Sequence, residues 1–262
     1  MRLLLLLLAG SLSAQIQPAK PIKLFNGQNL DGWYTWLREN RYEDPKKVFS
    51  VENGMLRVSG EEWGGIATKQ EYRDYHLIVE WKWGKKTWPP RLKNARDSGI
   101  LIHAVGEDGR YNNTWLESIE SQIIEGGAGD IILVGGKNKP ELTVEIRELG
   151  KEVYWKKGGK PVTKNAGRFN WWGRSPAWKD EIDFRGVEDV EKPVGQWNRQ
   201  EVFADGDKIT CLVNGQVVIH GTNASHRAGK IQLQSEGAEI LFRRVEIRPI
   251  KRRPRIPDPA IR

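Results

Sequence analysis

The stretch TWLESIESQIIEGGAGDIILVGG, residues 114 to 136, sets three carboxylates, Glu117, Glu120 and Glu125, among isoleucines and leucines. Acids among apolar neighbours suit proton transfer, because burial lifts a carboxyl toward the pH range where it can both take and release a proton. Strand alternation puts Ser118, Glu120, Gln122 and Ile124 on one side and Glu117, Ile119, Ser121 and Ile123 on the other. The second side carries the apolar pair and is expected to face a core. Glu120 and Gln122 are then expected to face a cleft or solvent. Glu125 falls one step out of phase, and a bulge before Gly126-Gly127 would return it to the Glu120 side.

Glu120 or Glu125 is therefore the candidate base. His103, on a neighbouring candidate strand, is the candidate acid or a ligand for a divalent metal, and equally a hydrogen-bonded strand histidine. His76, His220 and His226 have no ligand spacing, so the metal question stays open between none and one divalent ion. Asp97 either contacts substrate or caps the turn that enters its strand. Gln122 would hold a ligand hydroxyl or a nearby backbone group. Trp115, Trp171, Trp172 and Trp178 suit stacking on the apolar face of a sugar ring, with some of them needed to pack their loop; Arg174 lies among them as a further substrate contact.

The elements that must position these residues read as strands. VFSVENGMLRVSG (48–60) is a hairpin turning at Asn53-Gly54. DYHLIVEWKW (74–83), SGILIHAV (98–105) and SIESQII (118–124) each alternate with period two. NRQEVFADGDKITCLVNGQVVIHG (198–221) gives three strands with turns at Asp205-Gly206 and Asn214-Gly215, and GKIQLQSEGAEILFRRVEIRPI (229–250) gives two more. No amphipathic helix of ten residues or longer is apparent. Many short strands with close turn signals predict an all-β fold, a two-sheet antiparallel β-sandwich or jelly roll. Residues 164–198, with four Trp, break the pattern and read as a long Trp-rich ordered loop.

The bulk composition narrows the class. The 262 residues suffice for one large β domain, here residues 15–250. Of the net charge of +8, the final twelve residues, KRRPRIPDPAIR, supply +4 and Arg2 another +1. The remainder is interspersed, so the charge argues for no nucleic-acid partner, and 251–262 reads as a basic flexible tail. Arg2, LLLLLLAG and SLSA form a secretory leader over residues 1–14, too short to span a bilayer. A periplasmic or secreted protein is expected, one whose single Cys211 excludes an internal disulfide.

Five stretches also carry a resemblance. LFNGQNLDGW (24–33), DSGILIH (97–103), WLESIESQIIEGGAGDIILVGG (115–136), NWWGRSPAWKDEIDFRG (170–186) and GKIQLQSEGAEILFRRVEI (229–247) follow one another as in the 3-keto-disaccharide hydrolases, also described as 3-keto-glucoside lyases or hydratases. The chain resembles that family from Leu24 to Ile250, with Asp97 where Asn is usual and Ser121 where Cys is frequent. The resemblance implies a concanavalin A-like or laminin G-like jelly roll and a small carbohydrate as substrate. It also implies cleavage of glycosides bearing a ketone at C3, by C2 proton abstraction, elimination at C1 and hydration. Two alternatives stand beside it: a retaining glycosidase, whose two carboxyls would lie about 5–5.5 Å apart, and a non-catalytic carbohydrate-binding module. Oligomeric state is unreadable.

Overall fold

The computed structural model describes residues 14–257, so the expected leader lies outside the described residues apart from Ala14. Among the described residues every regular element is a strand, and the strands form two antiparallel sheets. The larger sheet has eleven strands. Its middle is the run Gln216–Thr222, Lys208–Val213, Asn198–Asp205, Tyr75–Thr87, Ala238–Arg248, Met55–Val58. The smaller, eight-stranded sheet runs Gly167–Phe169, Ile131–Val134, Glu117–Ile124, Asp97–Val105, Ala228–Ser235, Gly64–Thr68, Trp33–Leu37. The protein is an all-β, two-sheet jelly-roll sandwich, as its strand periodicities predict.

The periodicities set the packing. Tyr75, Leu77, Val79, Trp81 and Trp83 alternate along one strand of the larger sheet, and Ile100, Ile102, Ile119 and Ile123 along two of the smaller. All enter one buried core between the sheets. Ser121 also points inward, where its hydroxyl accepts from Gln200 Nε2 at 2.7 Å, while Gln200 Oε1 accepts from the Trp81 indole at 3.2 Å. This small polar thread ties the acidic strand to the centre of the opposite sheet. Its burial without orphaned atoms on Gln200 Nε2 or the Trp81 indole is what makes it tolerable.

The tight turns follow their residues. Asn53-Gly54 and Asn214-Gly215 all adopt positive φ, between 49° and 85°, which a two-residue hairpin loop of this hand requires. The turn expected at Asp205-Gly206 is shifted by one residue, because Asp205 still pairs with Lys208 and the loop is Gly206-Asp207. The long loop is ordered as expected and joins the Gly167–Phe169 strand to the Asn198–Asp205 strand. The described part of the basic tail lies along the larger sheet, through Arg253 on Asp205 and Lys157 Nζ on the Ile256 carbonyl oxygen at 3.2 Å. No helix of the described residues is long and apolar enough to cross a membrane.

Candidate active site

Register decides which side chains meet. Glu120 pairs with Leu101 and Ile132, and Gln122 with Gly99, so these residues share the face of the smaller sheet turned away from the core. Gln232 and Gln234 join the same face on the next strand, opposite Leu101 and beside Gly99. Arg168, opposite Ile132, extends the row on the other side. The polar face forms because these strands alternate strictly, Ile231, Leu233, Ile119 and Ile123 going inward and the acids and amides outward.

At the centre lies the Glu120 carboxyl. It rests directly over Gly99, where a Cβ would overlap both Glu120 Oε1 and Gln234 Oε1. The glycine is thus the space the carboxyl occupies. Glu120 is 3% exposed and makes no hydrogen bond or ion pair to any described residue. Burial raises its pKa well above the ordinary carboxylate value, with the neighbouring Asp97 charge adding to the rise and Arg168 opposing it. Asp97 is raised to about 6, chiefly by burial, against the pull of Arg91.

The surrounding acids are held by guanidinium groups. Asp97 Oδ1 accepts from Gln122 Nε2 at 2.7 Å, and Asp97 Oδ2 from Arg91 Nη2 at 2.5 Å. Arg91 Nη2 also reaches Glu236 at 3.5 Å. Asp130, fully buried, takes Arg168 Nη1 at 2.5 Å, Arg174 Nη1, and the Trp171 backbone N–H at 2.8 Å. Arg91 is thus shared by Asp97, Glu236 and Asp180, while Arg168 and Arg174 are both taken by Asp130. Among these acids Glu120 is the one without an ion pair to a described residue, and its pKa is raised. Buried amide atoms left unpaired on Gln122 (Oε1), Gln232 (Nε2) and Gln234 (Oε1) suit a ligand bearing hydroxyls.

One flank of this face is apolar. The segment 106–116 folds back across it, with the Trp115 indole donating to the Gly64 carbonyl oxygen at 2.9 Å. Trp115 stacks on Trp63, ring centres 5.7 Å apart, and packs with Leu101 and Val134 beside Glu120. An indole pair next to an acid and amides can hold the apolar face of a sugar ring while the polar groups meet its hydroxyls.

The structure therefore brings together Glu120, Gln122, Asp97 and Trp115, with Arg174 one step out on Asp130. It does not bring the other candidates there. Glu125 does not bulge onto the Glu120 side; both of its oxygens are engaged, Oε1 by Arg96 Nη1 at 2.6 Å and Oε2 by the Arg96 and Asp183 backbone N–H groups. His103 sits at a register break with φ of 49°, its Nδ1 donating to the His226 carbonyl oxygen at 2.8 Å and its ring edge-on to Tyr75. Burial lowers its pKa to about 4, so the ring is neutral at pH 7. Trp171 is in the core, and Trp172 donates to the Val217 carbonyl oxygen on the larger sheet. Trp178 packs under Arg174 and donates to the Glu125 carbonyl oxygen, so it anchors the long loop. Among the described residues no group of three or more His, Cys, Asp or Glu side chains is arranged to hold a metal ion.

Six side chains of this face were not singled out from sequence: Arg91, Asp130, Arg168, Gln232, Gln234 and Glu236. The alternation Gln232, Gln234, Glu236 against Ile231 and Leu233 was a readable signal. Arg91, Asp130 and Arg168 come from loops or edges with no local periodicity to mark them.

The family model of the 3-keto-alpha-glucoside-1,2-lyase-like domain matches residues 20–248. Among solved structures, a provisionally assigned glycosyl hydrolase from Parabacteroides distasonis ATCC 8503 aligns with a TM-score of 0.50 at 20% identity, over 88% of this chain and 94% of that one. A second such protein from the same organism gives a TM-score of 0.48 at 21% identity, over 87% and 98%. A Bacillus licheniformis beta-glucanase gives 0.46 at 12% identity, over 86% and 96%. At 20% identity the first of these likenesses is one of fold alone. No curated protein matches the sequence.

Proposed function

Because the chain belongs to the 3-keto-alpha-glucoside-1,2-lyase-like family, we propose that it cleaves glycosides already oxidised to a ketone at C3, with Glu120 as the base that removes the C2 hydrogen. The ketone acidifies that hydrogen, so the barrier falls to one a positioned carboxylate can cross. Loss of the proton gives an enediolate, which expels the C1 substituent; addition of water across the resulting double bond completes a net hydrolysis. Two things are needed at the first step, a base stronger than an ordinary carboxylate and positive charge near the C3 oxygen.

The observation that carries the reading is the isolation of Glu120. It is the carboxyl of the face with no cation of its own, and its raised pKa makes its ionised form the stronger base. Arg168, whose charge already acts on both Glu120 and Asp97, supports an oxyanion at C3, and Gln122 and Gln234 offer amides to ring hydroxyls. Trp115 and Trp63 supply the apolar wall. The engagement of Glu125 by Arg96 weighs against a retaining pair with Glu120. In the same reading the leader directs the protein to the periplasm or the cell exterior.

The test is hydrogen exchange at C2 of a 3-keto-glucoside in D₂O, followed by NMR, with the mature protein, with Glu120→Gln and with an EDTA-treated sample. Exchange or cleavage by the parent should fall by about 10²–10⁴ in E120Q. Because the base acts ionised, kcat/KM should rise with pH along a limb lying above the ordinary carboxylate range. Cleavage of unoxidised glycosides would replace this reading with a glycosidase. Binding of unoxidised sugar with neither exchange nor cleavage would leave a binding module. Loss after EDTA would add a metal.

A further inference from the structure

Elimination at C1 also needs a proton for the departing oxygen, and neither His103, the sequence candidate for that acid, nor Glu125, the alternative base, is free to supply it. His103 is turned toward Tyr75 and His226, and Glu125 is fixed by Arg96. Two other carboxyls share the face. Asp97 has both oxygens engaged, by Gln122 and Arg91, and its side chain is 5% exposed. Glu236 has only the long 3.5 Å approach of Arg91, and at 12% exposure it can regain a proton from solvent.

Its placement fits as well. Glu236 follows Gln234 by two residues, with Gln234 Oε1 beside Glu120 Oε1 over Gly99. Glu236 stands just past the end of the Ala228–Ser235 strand, where Arg91 Nη2 bridges it to Asp97 and where the Glu120 charge acts on it, so a sugar ring with its C2 hydrogen toward Glu120 can turn its C1 oxygen toward Glu236. Burial and the Asp97 charge favour the protonated form of Glu236, as an acid requires.

We infer that Glu236 is the general acid of this site, protonating the glycosidic oxygen as it leaves C1. The inference rests on the 3-keto-glycoside reading above. Glu120 takes the C2 proton, and the C–H electron pair becomes the enediolate double bond. That pair then forms the C1–C2 double bond while the C3 ketone is restored and the C1–O bond breaks. The leaving oxygen accepts the proton of Glu236, which ends as carboxylate and is reprotonated from water. Glu236 thus becomes the second carboxyl of the site, in place of Glu125.

The experiment compares the parent with Glu236→Gln and Glu236→Asp on methyl and p-nitrophenyl 3-keto-glucosides, reading both aglycone release and C2 exchange in D₂O. An acid matters most for a poor leaving group. E236Q should therefore lose about 100-fold on the methyl substrate, with a far smaller loss on the nitrophenyl one. C2 exchange should persist at the parent rate or become more visible as elimination slows. E236D, which keeps a carboxyl, should recover part of the methyl cleavage and carries the test if E236Q melts below the assay temperature. Parent-like methyl cleavage in E236Q overturns the assignment. So does an equal loss of exchange and of both cleavages, which marks a structural role. If the parent itself neither exchanges nor cleaves any 3-keto-glycoside, the family reading fails and the acid falls with it, a result no Glu236 variant can mimic.

Discussion

The two sheets carry acids on their outward faces in opposite states. On the larger sheet, register places Arg199, Glu80 and Arg244 in one row and Phe203, His76 and Arg248 in another, with Glu201 and Glu246 flanking Ile78 between them. Each glutamate meets two basic side chains: Glu80 has Arg243 and Arg244, Glu201 has Arg199 and the His76 ring, and Glu246 has Arg244 and Arg248. Burial would raise all three, but the hydrogen bonds and charges outweigh it; all are lowered, Glu201 to about 2. On the smaller sheet, acids outnumber cations and lie deeper, so Asp97, Glu120 and Glu236 are raised. The same residue type favours its ionised form on one face and its protonated form on the other. The supply of basic partners and the depth make the difference, since both faces are built on antiparallel ladders.

The sharpest way to break this contrast leaves every charge in place. Gly99→Ala puts a methyl where the Glu120 carboxyl lies, so the carboxyl must move while the backbone φ remains compatible with alanine. Displacements of about 1 Å at a reacting group cost on the order of 10²-fold. We expect G99A to lose roughly that factor in kcat on a 3-keto-glucoside, and a parent-like kcat would show that Glu120 need not occupy this spot. Glu201→Gln, on the other sheet, should leave kcat unchanged.

How far the sequence anticipated this follows from which signals are local. Period-two alternation is local, and it correctly sent Glu120 and Gln122 outward and Ile119, Ile123 and Ser121 inward. Asn-Gly turns are local too. The strand Gly64–Thr68 escaped notice because it is buried on both faces and has no alternation to read. The cations that separate the two faces are not local at all. Arg91 reaches Asp97 from the preceding loop, and Arg168 reaches Asp130 across 38 positions. Glu125 shows the same limit from the other side: its place beside the strand made it an alternative base to Glu120, but Arg96, brought alongside by the neighbouring strand, engages it.

The smallest expected effects are in stability, and their signs oppose each other. Glu201 has a folded pKa lowered to about 2, so its contribution is fully present above the unfolded value of about 4.3 and is lost as pH falls toward 2. Thermal melts of E201Q should therefore lie below the parent at pH 7, by the equivalent of about 0.5–1 kcal/mol for a partly exposed pair, and converge with it near pH 2. Glu120 has a raised folded pKa, so what it contributes is present below the unfolded value and is lost as pH climbs through the folded one. E120Q should match the parent in acid and melt above it as pH rises, because an amide replaces a buried carboxyl that resists ionisation. An acid sacrificed for function should relieve strain when removed, whereas one kept for the ladder should not. If E120Q instead melts lower at every pH, the Glu120 carboxyl is a structural group, and the contrast between the two faces fails at its centre.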